Sequence, residues 1–302
     1  MFNKIEKIKL ALLLLLCCMG MSSLAQNATE PTIVNELKIK EINFKSSGTV
    51  LSGTIYRPKN IAGAVVIVHG SGQEKRMSAL ATTLAQSGIA VLTYDKRGVG
   101  QSGGSYVGPE VGSNNIDSAN LDLLAKDAAA ATIELARYLP SRIQVGLLGF
   151  SQAGWIIPMA AAKSKKVEFM VFFSGPVATT LEQLRFQFYT NGNSKFWDTH
   201  TEADARAHIS NDPDRYQFAV TDASKQLAQL SIPGLWLFGG RDIQAPVGLS
   251  IANLNVLKDK HKPYEFQLFP AMGHNTAFAK SQEPVIAAIK WIRALKQKGI
   301  GR

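Results

Sequence analysis

Ile143-Gln144-Val145-Gly146-Leu147-Leu148-Gly149-Phe150-Ser151-Gln152-Ala153-Gly154-Trp155 is the stretch that decides how this chain folds. Apart from Gln144, Ile143 to Leu148 is an apolar run, as a strand covered on both faces must be. Trp155 to Lys163 has the pattern of a helix. Ser151 therefore stands where a buried strand turns sharply into a helix, the arrangement called a nucleophile elbow. Such a turn pushes the hydroxyl out of the sheet and aims the first helical amides at whatever it attacks. The usual elbow reads Gly-x-Ser-x-Gly. Here the fifth position is Ala153 and the glycine comes one place later, at Gly154. Taken alone, the hexapeptide from Gly149 to Gly154 is also what a plain strand-to-helix loop looks like.

Outward from the elbow, the same rhythm repeats. Gly63 to Val68, Ile89 to Tyr94, Val167 to Phe173 and Gly234 to Phe238 are further apolar runs, and Tyr264 to Phe269 alternates as an edge strand does. Upstream, Glu36 to Phe44 and Leu51 to Tyr56 alternate around Gly48 and predict an antiparallel edge hairpin. Between the runs, Met77 to Gln86, Leu121 to Tyr138, Ser151 to Lys163, Val247 to Lys258 and Pro284 to Lys296 carry apolar residues three and four apart, predicting helices. Strand-helix alternation makes this an α/β chain with a mainly parallel sheet and helices on both faces. Ligands are then expected beyond the carboxyl ends of the strands. About fifty residues, 177–230, interrupt the rhythm and predict a helical cap insertion. That segment has seven acidic and five basic residues on an otherwise basic chain.

A serine hydroxyl needs a base in contact, and the base needs an orienter. Asp242 follows an apolar strand in Phe238-Gly239-Gly240-Arg241-Asp242, 91 positions after Ser151. His274 follows the last strand in Pro270-Ala271-Met272-Gly273-His274, a further 32 on. Of the other histidines, His200 and His208 fall in the insertion, His261 in a Lys-rich turn and His69 in a glycine loop. Asp95 also follows a strand, but upstream of the serine, and is expected to pair with Arg97 and brace its loop. A tetrahedral intermediate needs two amides for its oxyanion. One is expected from Gln152, and the other from Ser71 in the loop His69-Gly70-Ser71-Gly72, with His69 as a scaffold for that loop.

These segments, with Asp95-Lys96-Arg97-Gly98-Val99-Gly100-Gln101-Ser102, resemble the α/β-hydrolase superfamily over roughly Ile39 to Lys296. Within it the chain looks most like secreted bacterial serine hydrolases near the dienelactone-hydrolase-like esterases and serine-aminopeptidase-like hydrolases. The resemblance implies an α/β-hydrolase fold with Ser151 as nucleophile, His274 as acid and base and Asp242 as orienter. It also implies no cofactor and no metal. The departures are Ala153 and an insertion that matches no substrate class.

The 302 residues, 46% hydrophobic and 19% charged, suit one large domain at 26–302. Residues 1–25 read as a signal peptide, with Lys4, Lys7 and Lys9 before the apolar run Leu10 to Met21 and Ser23-Leu24-Ala25 as the cleavage site. A membrane anchor or lipoprotein is the alternative. The expected location is periplasmic or secreted, without stable membrane insertion once the leader is removed. Both cysteines, Cys17 and Cys18, lie in the leader, so the mature chain has neither a disulfide nor a thiol nucleophile. The net charge of +10 falls to +8 without the leader, and the basic residues are scattered, which argues against nucleic-acid binding. The expected activity is hydrolysis of small-molecule esters through an acyl-enzyme. A serine aminopeptidase or amidase acting on short peptides, or a thioesterase, would use the same triad. The alternative outside enzymes is a ligand-binding protein on a hydrolase scaffold. The loop Gly103 to Ser118 carries no motif but is placed to line the site.

Overall fold

The apolar runs become inner strands of one eight-stranded sheet in the computed structural model, which describes residues 36–108, 116–213 and 219–298. The expected leader 1–25, and residues 109–115 of the Gly103–Ser118 loop, lie outside them. The strands are β1 (Leu37–Ser46), β2 (Thr49–Pro58), β3 (Gly63–Val68), β4 (Ile89–Tyr94), β5 (Val145–Phe150), β6 (Phe169–Phe173), β7 (Gly234–Gly239) and β8 (Tyr264–Phe269). Their order across the sheet is β1-β2-β4-β3-β5-β6-β7-β8. β1 and β2 form the expected antiparallel hairpin, with Ser46 opposite Thr49 across the Ser47-Gly48 turn. β2 pairs antiparallel with β4, and every pair from β4 to β8 is parallel.

β3 through β7 are buried residue by residue, because both faces are covered. Alternate side chains go to opposite faces. Val65, Ile67 and Leu148 meet α1 (Ser78–Gln86) and the C-terminal helix α9 (Glu283–Lys298) through Leu84, Ala288 and Ile292. Val66, Leu147 and Trp236 meet α2 (Ser118–Ala136), α3 (Ala153–Lys163) and α8 (Val247–Asp259) through Leu121, Ile157 and Leu254. The insertion between β6 and β7 contains α4 (Thr180–Thr190), α5 (Phe196–Thr199), α6 (Glu202–Asn211) and α7 (Ala223–Gln229).

The pairing expected of Asp95 and Arg97 is not formed. Arg97 instead grips buried Asp127 of α2 through Nε, at 2.9 Å, and Nη2, and its Nη1 reaches Thr49 Oγ1. Asp95 accepts from the amides of Arg76 and Gln101 and faces the Arg76 guanidinium. The two side chains leave the β4 terminus in different directions, and each finds a separate opposite charge.

Candidate active site

Ser151 has φ +48°, a left-handed conformation rare for a residue with a side chain. Its N–H donates to Phe173 O of the neighbouring strand at 3.1 Å, and its carbonyl accepts from Gly154 N at 2.8 Å, closing the turn into α3. A Cβ on Gly149 would come within 2.5 Å of the Ala153 Cβ, and one on Gly154 within 2.6 Å of Pro176 Cδ. The departure at the fifth position of the motif is thereby explained. Ala153 fits because Gly149 is bare, and the close backbone approach falls at Gly154 instead.

The expected base and the expected orienter meet across two adjacent strand ends. Gly240 N donates to Phe269 O and Arg241 N to Met272 O, so the loops after β7 and β8 are tied together. His274 Nδ1 lies 2.8 Å from Asp242 Oδ2. The other carboxylate oxygen, Oδ1, accepts from Gln244 N at 2.7 Å and Ala245 N at 2.9 Å. The Asp242 side chain is fully buried, so these amides and the imidazole are what hold its charge. With Nδ1 committed to Asp242, Nε2 is the ring nitrogen left to take a proton. Among the described residues no hydrogen bond joins the Ser151 hydroxyl to His274. Such contacts are commonly long in unliganded sites.

Ser151 and His274 share one cleft of about 150 Å3 with Gly70, Ser71, Glu74, Phe150 and Gln244. A larger cleft of about 540 Å3, between the β1–β2 hairpin and α2, includes no serine or histidine in its lining. The loop after β3 forms one wall of the cleft that Ser151 and His274 share. His69 Nε2–H donates to Tyr94 O at 2.7 Å, and the ring packs edge-on against Tyr94. Burial, aided by the Lys96 charge, lowers the His69 pKa to about 3. His69 is therefore a neutral scaffold, as its position in the sequence suggested. Gln152, the other expected amide donor, is buried and is the N-cap of α3, where helix N–H groups lack intrahelical partners.

Several residues of the site had no signal in the sequence. Glu74 lines the cleft and accepts from Gly70 N at 2.7 Å, and burial raises its pKa. Phe278, 56% exposed, stands at the cleft wall against Phe150. Tyr106, from the motif-free loop after β4, donates its hydroxyl to Ser71 O at 2.8 Å. Each is a lone residue in an irregular segment, where no periodicity marks it.

The insertion touches the site from behind. Trp197 Nε1 donates to Asp242 O, Gln183 Nε2 to Gln244 O and Thr190 Oγ1 to Ile243 O. Among the described residues, none of those lining the cleft comes from it. Four of its acidic side chains are already engaged: Glu182 and Asp204 close capping boxes, Glu202 pairs with Arg206 and Asp198 with Arg241. Among the described residues no three potential metal ligands gather, and no helix is long and apolar enough to cross a membrane.

Comparison with known proteins agrees with this architecture. The family described as serine aminopeptidase, S33, matches residues 59–217. No curated protein matches the sequence. Among solved structures, an acylaminoacyl peptidase of Pyrococcus horikoshii superposes with a TM-score of 0.60 at 17% identity, over 88% of this chain and 42% of its own. The chain thus spans about two fifths of that peptidase. An esterase of Pyrococcus furiosus gives 0.59 at 15% identity, over 86% and 89%. The α/β hydrolase GrgF of a Penicillium species gives 0.59 at 15%, over 86% and 99%. At these identities the likeness is one of fold.

Proposed function

Since the chain belongs to the serine aminopeptidase S33 family of α/β hydrolases, we propose that it is a serine hydrolase cleaving carboxylic esters through an acyl-enzyme on Ser151. The observation carrying this reading is the 2.8 Å contact of His274 Nδ1 with Asp242, in the cleft that Ser151 enters from a left-handed elbow. Ser151 Oγ bonds to the ester carbonyl carbon, and its proton passes to His274 Nε2. The carbonyl π electrons move onto oxygen, which the N–H groups of Ser71 and Gln152 receive. The carbonyl re-forms, the C–O bond breaks, and the imidazolium protonates the leaving alcohol. Water then attacks the acyl-enzyme, its proton going to His274 and from there to Ser151 Oγ as the acid departs. Asp242 orients and stabilises the imidazolium.

A peptidase reading on the same triad is favoured by the family description. Among the described residues, the carboxylate lining the cleft is Glu74, and one of its oxygens is occupied by Gly70 N–H, which argues for esters first. A fluorophosphonate probe tests the enzyme class. Labelling of the wild type and its loss in Ser151→Ala are expected, with turnover reduced by about 10⁵ or more; an unlabelled wild type points to a binding protein. Parallel assays on p-nitrophenyl esters and aminoacyl-anilides choose the substrate, and faster anilide cleavage would replace ester by peptide. Export belongs to the same proposal, and N-terminal sequencing of the mature protein should begin near Gln26.

A further inference from the structure

Lys96 is buried to 2% exposure, and it is not part of the triad. Its Nζ lies 2.6 Å from Gly70 O, 3.2 Å from Gly72 O and 3.3 Å from Gln152 Oε1. Three acceptors call for three N–H donors, which only the ammonium form supplies. These acceptors belong to the two segments expected to bind the oxyanion, one after β3 and one after β5.

Peptide geometry gives this contact a direction. In a trans peptide the C=O of one residue and the N–H of the next point opposite ways. A Gly70 carbonyl held on Lys96 therefore turns the Ser71 N–H away from Lys96. The same loop is fixed at its other atoms: Tyr106 holds Ser71 O, Glu74 holds Gly70 N, and Lys96 N donates to Glu74 O. A cation on the carbonyl also polarises the peptide unit, making its N–H a stronger donor. On the other segment, the ammonium holds the Gln152 side chain, and with it the N-cap residue of α3.

We propose that Lys96 is the positioning residue of the oxyanion hole, one ammonium that locks the Gly70–Gly72 loop and Gln152 so that their N–H groups converge on the developing oxyanion. The proposal rests on the Ser151 acyl-enzyme reading and adds to it a buried positive charge that selects the transition state over the ground state. A preorganised charge of this kind should act on kcat rather than on substrate affinity.

Lys96→Met keeps the length and removes the charge. Its kcat on a p-nitrophenyl ester is expected to fall by about tenfold to a hundredfold with KM within twofold. Affinity for an alkylboronic acid, whose adduct on serine carries the tetrahedral negative charge, should weaken by a similar factor. Lys96→Gln retains a neutral donor; it should lose less, and it serves if the Met variant does not fold. The amide resonances of Ser71 and Gln152 should move together in either variant. A kcat within threefold of wild type, or a rise in KM equal to the fall in kcat/KM, overturns the proposal. So do unmoved amides. Failure of the underlying reading looks different: the wild type then goes unlabelled by the fluorophosphonate, and the role assigned to Lys96 falls with it.

Discussion

Ser151 is held at φ +48°, where a residue with a Cβ is strained by about 1–2 kcal/mol. Function and stability therefore oppose each other at this position. Ser151→Gly is expected to abolish labelling while unfolding at the same or a higher urea concentration than the wild type; a clear drop in the midpoint would mean the elbow is not strained. Asp242→Asn should reduce kcat by about 10⁴, because an amide cannot hold His274 in the required tautomer. A loss under tenfold in steady-state assays would remove Asp242 from the relay. Ser151, Asp242 and His274 were legible because each lies within five positions of the end of a strand, and strand ends are where this topology gathers side chains. Lys96 and Glu74 were not. Glu74 takes a backbone amide 4 positions away, and Lys96 takes backbone carbonyls 24 and 26 positions away and a glutamine side chain 56 positions away, and no residue pattern encodes those contacts. Asp95 and Arg97 show the converse error: closeness in sequence suggested a pair, whereas Arg97 reaches Asp127, 30 positions on.

At the scale of elements, apolar continuity marked the strands well but placed two of their starts early. Ile143 and Val167 are buried yet lie in turns, their N–H groups donating to Pro140 O and Ser164 O rather than to a ladder. Burial and hydrogen-bonded pairing are separate demands, and the sequence pattern reports only the first. The insertion was visible as a break in rhythm, but not the residues it contacts, because its amphipathic faces carry no label for what they cover. The start of α4 is set by the Thr179–Glu182 capping box. Thr179→Ala should cost about 1 kcal/mol in urea unfolding. Gly154→Ala drives a Cβ against Pro176 and should cost about 1–3 kcal/mol, while Ala153→Gly leaves activity within a few-fold. Equal stability of the two variants would contradict the packing of α3 on the loop after β6.

The whole molecule carries a pH signature through His69. It is neutral in the fold, with a pKa of about 3, and ordinary when unfolded, near 6.5. Below pH 6.5 the unfolded chain takes up a proton that the fold refuses. The stabilisation is complete above that pH and is lost as pH falls toward 3. Glu74, raised by burial, works in the opposite sense and offsets part of the loss. Urea midpoints should therefore decline from pH 6.5 toward 4, and His69→Gln should flatten the decline. An unchanged slope in that variant would assign the effect to other groups.

With Ser151 as the proposed nucleophile, the cleft it shares with His274 has a consequence for selectivity. At about 150 Å3 it is well below the roughly 300–1,000 Å3 of pockets that enclose a drug-sized ligand. On the proposed ester reading, the volume bounded by the described residues suits the reacting carbonyl and its nearest atoms, with the exposed ring of Phe278 beside them. Discrimination should then be sharp for branching beside the scissile bond and shallow for the length of the tail. Such a hydrolase accepts many relatives of its preferred molecule and rejects chiefly those crowded at the point of attack.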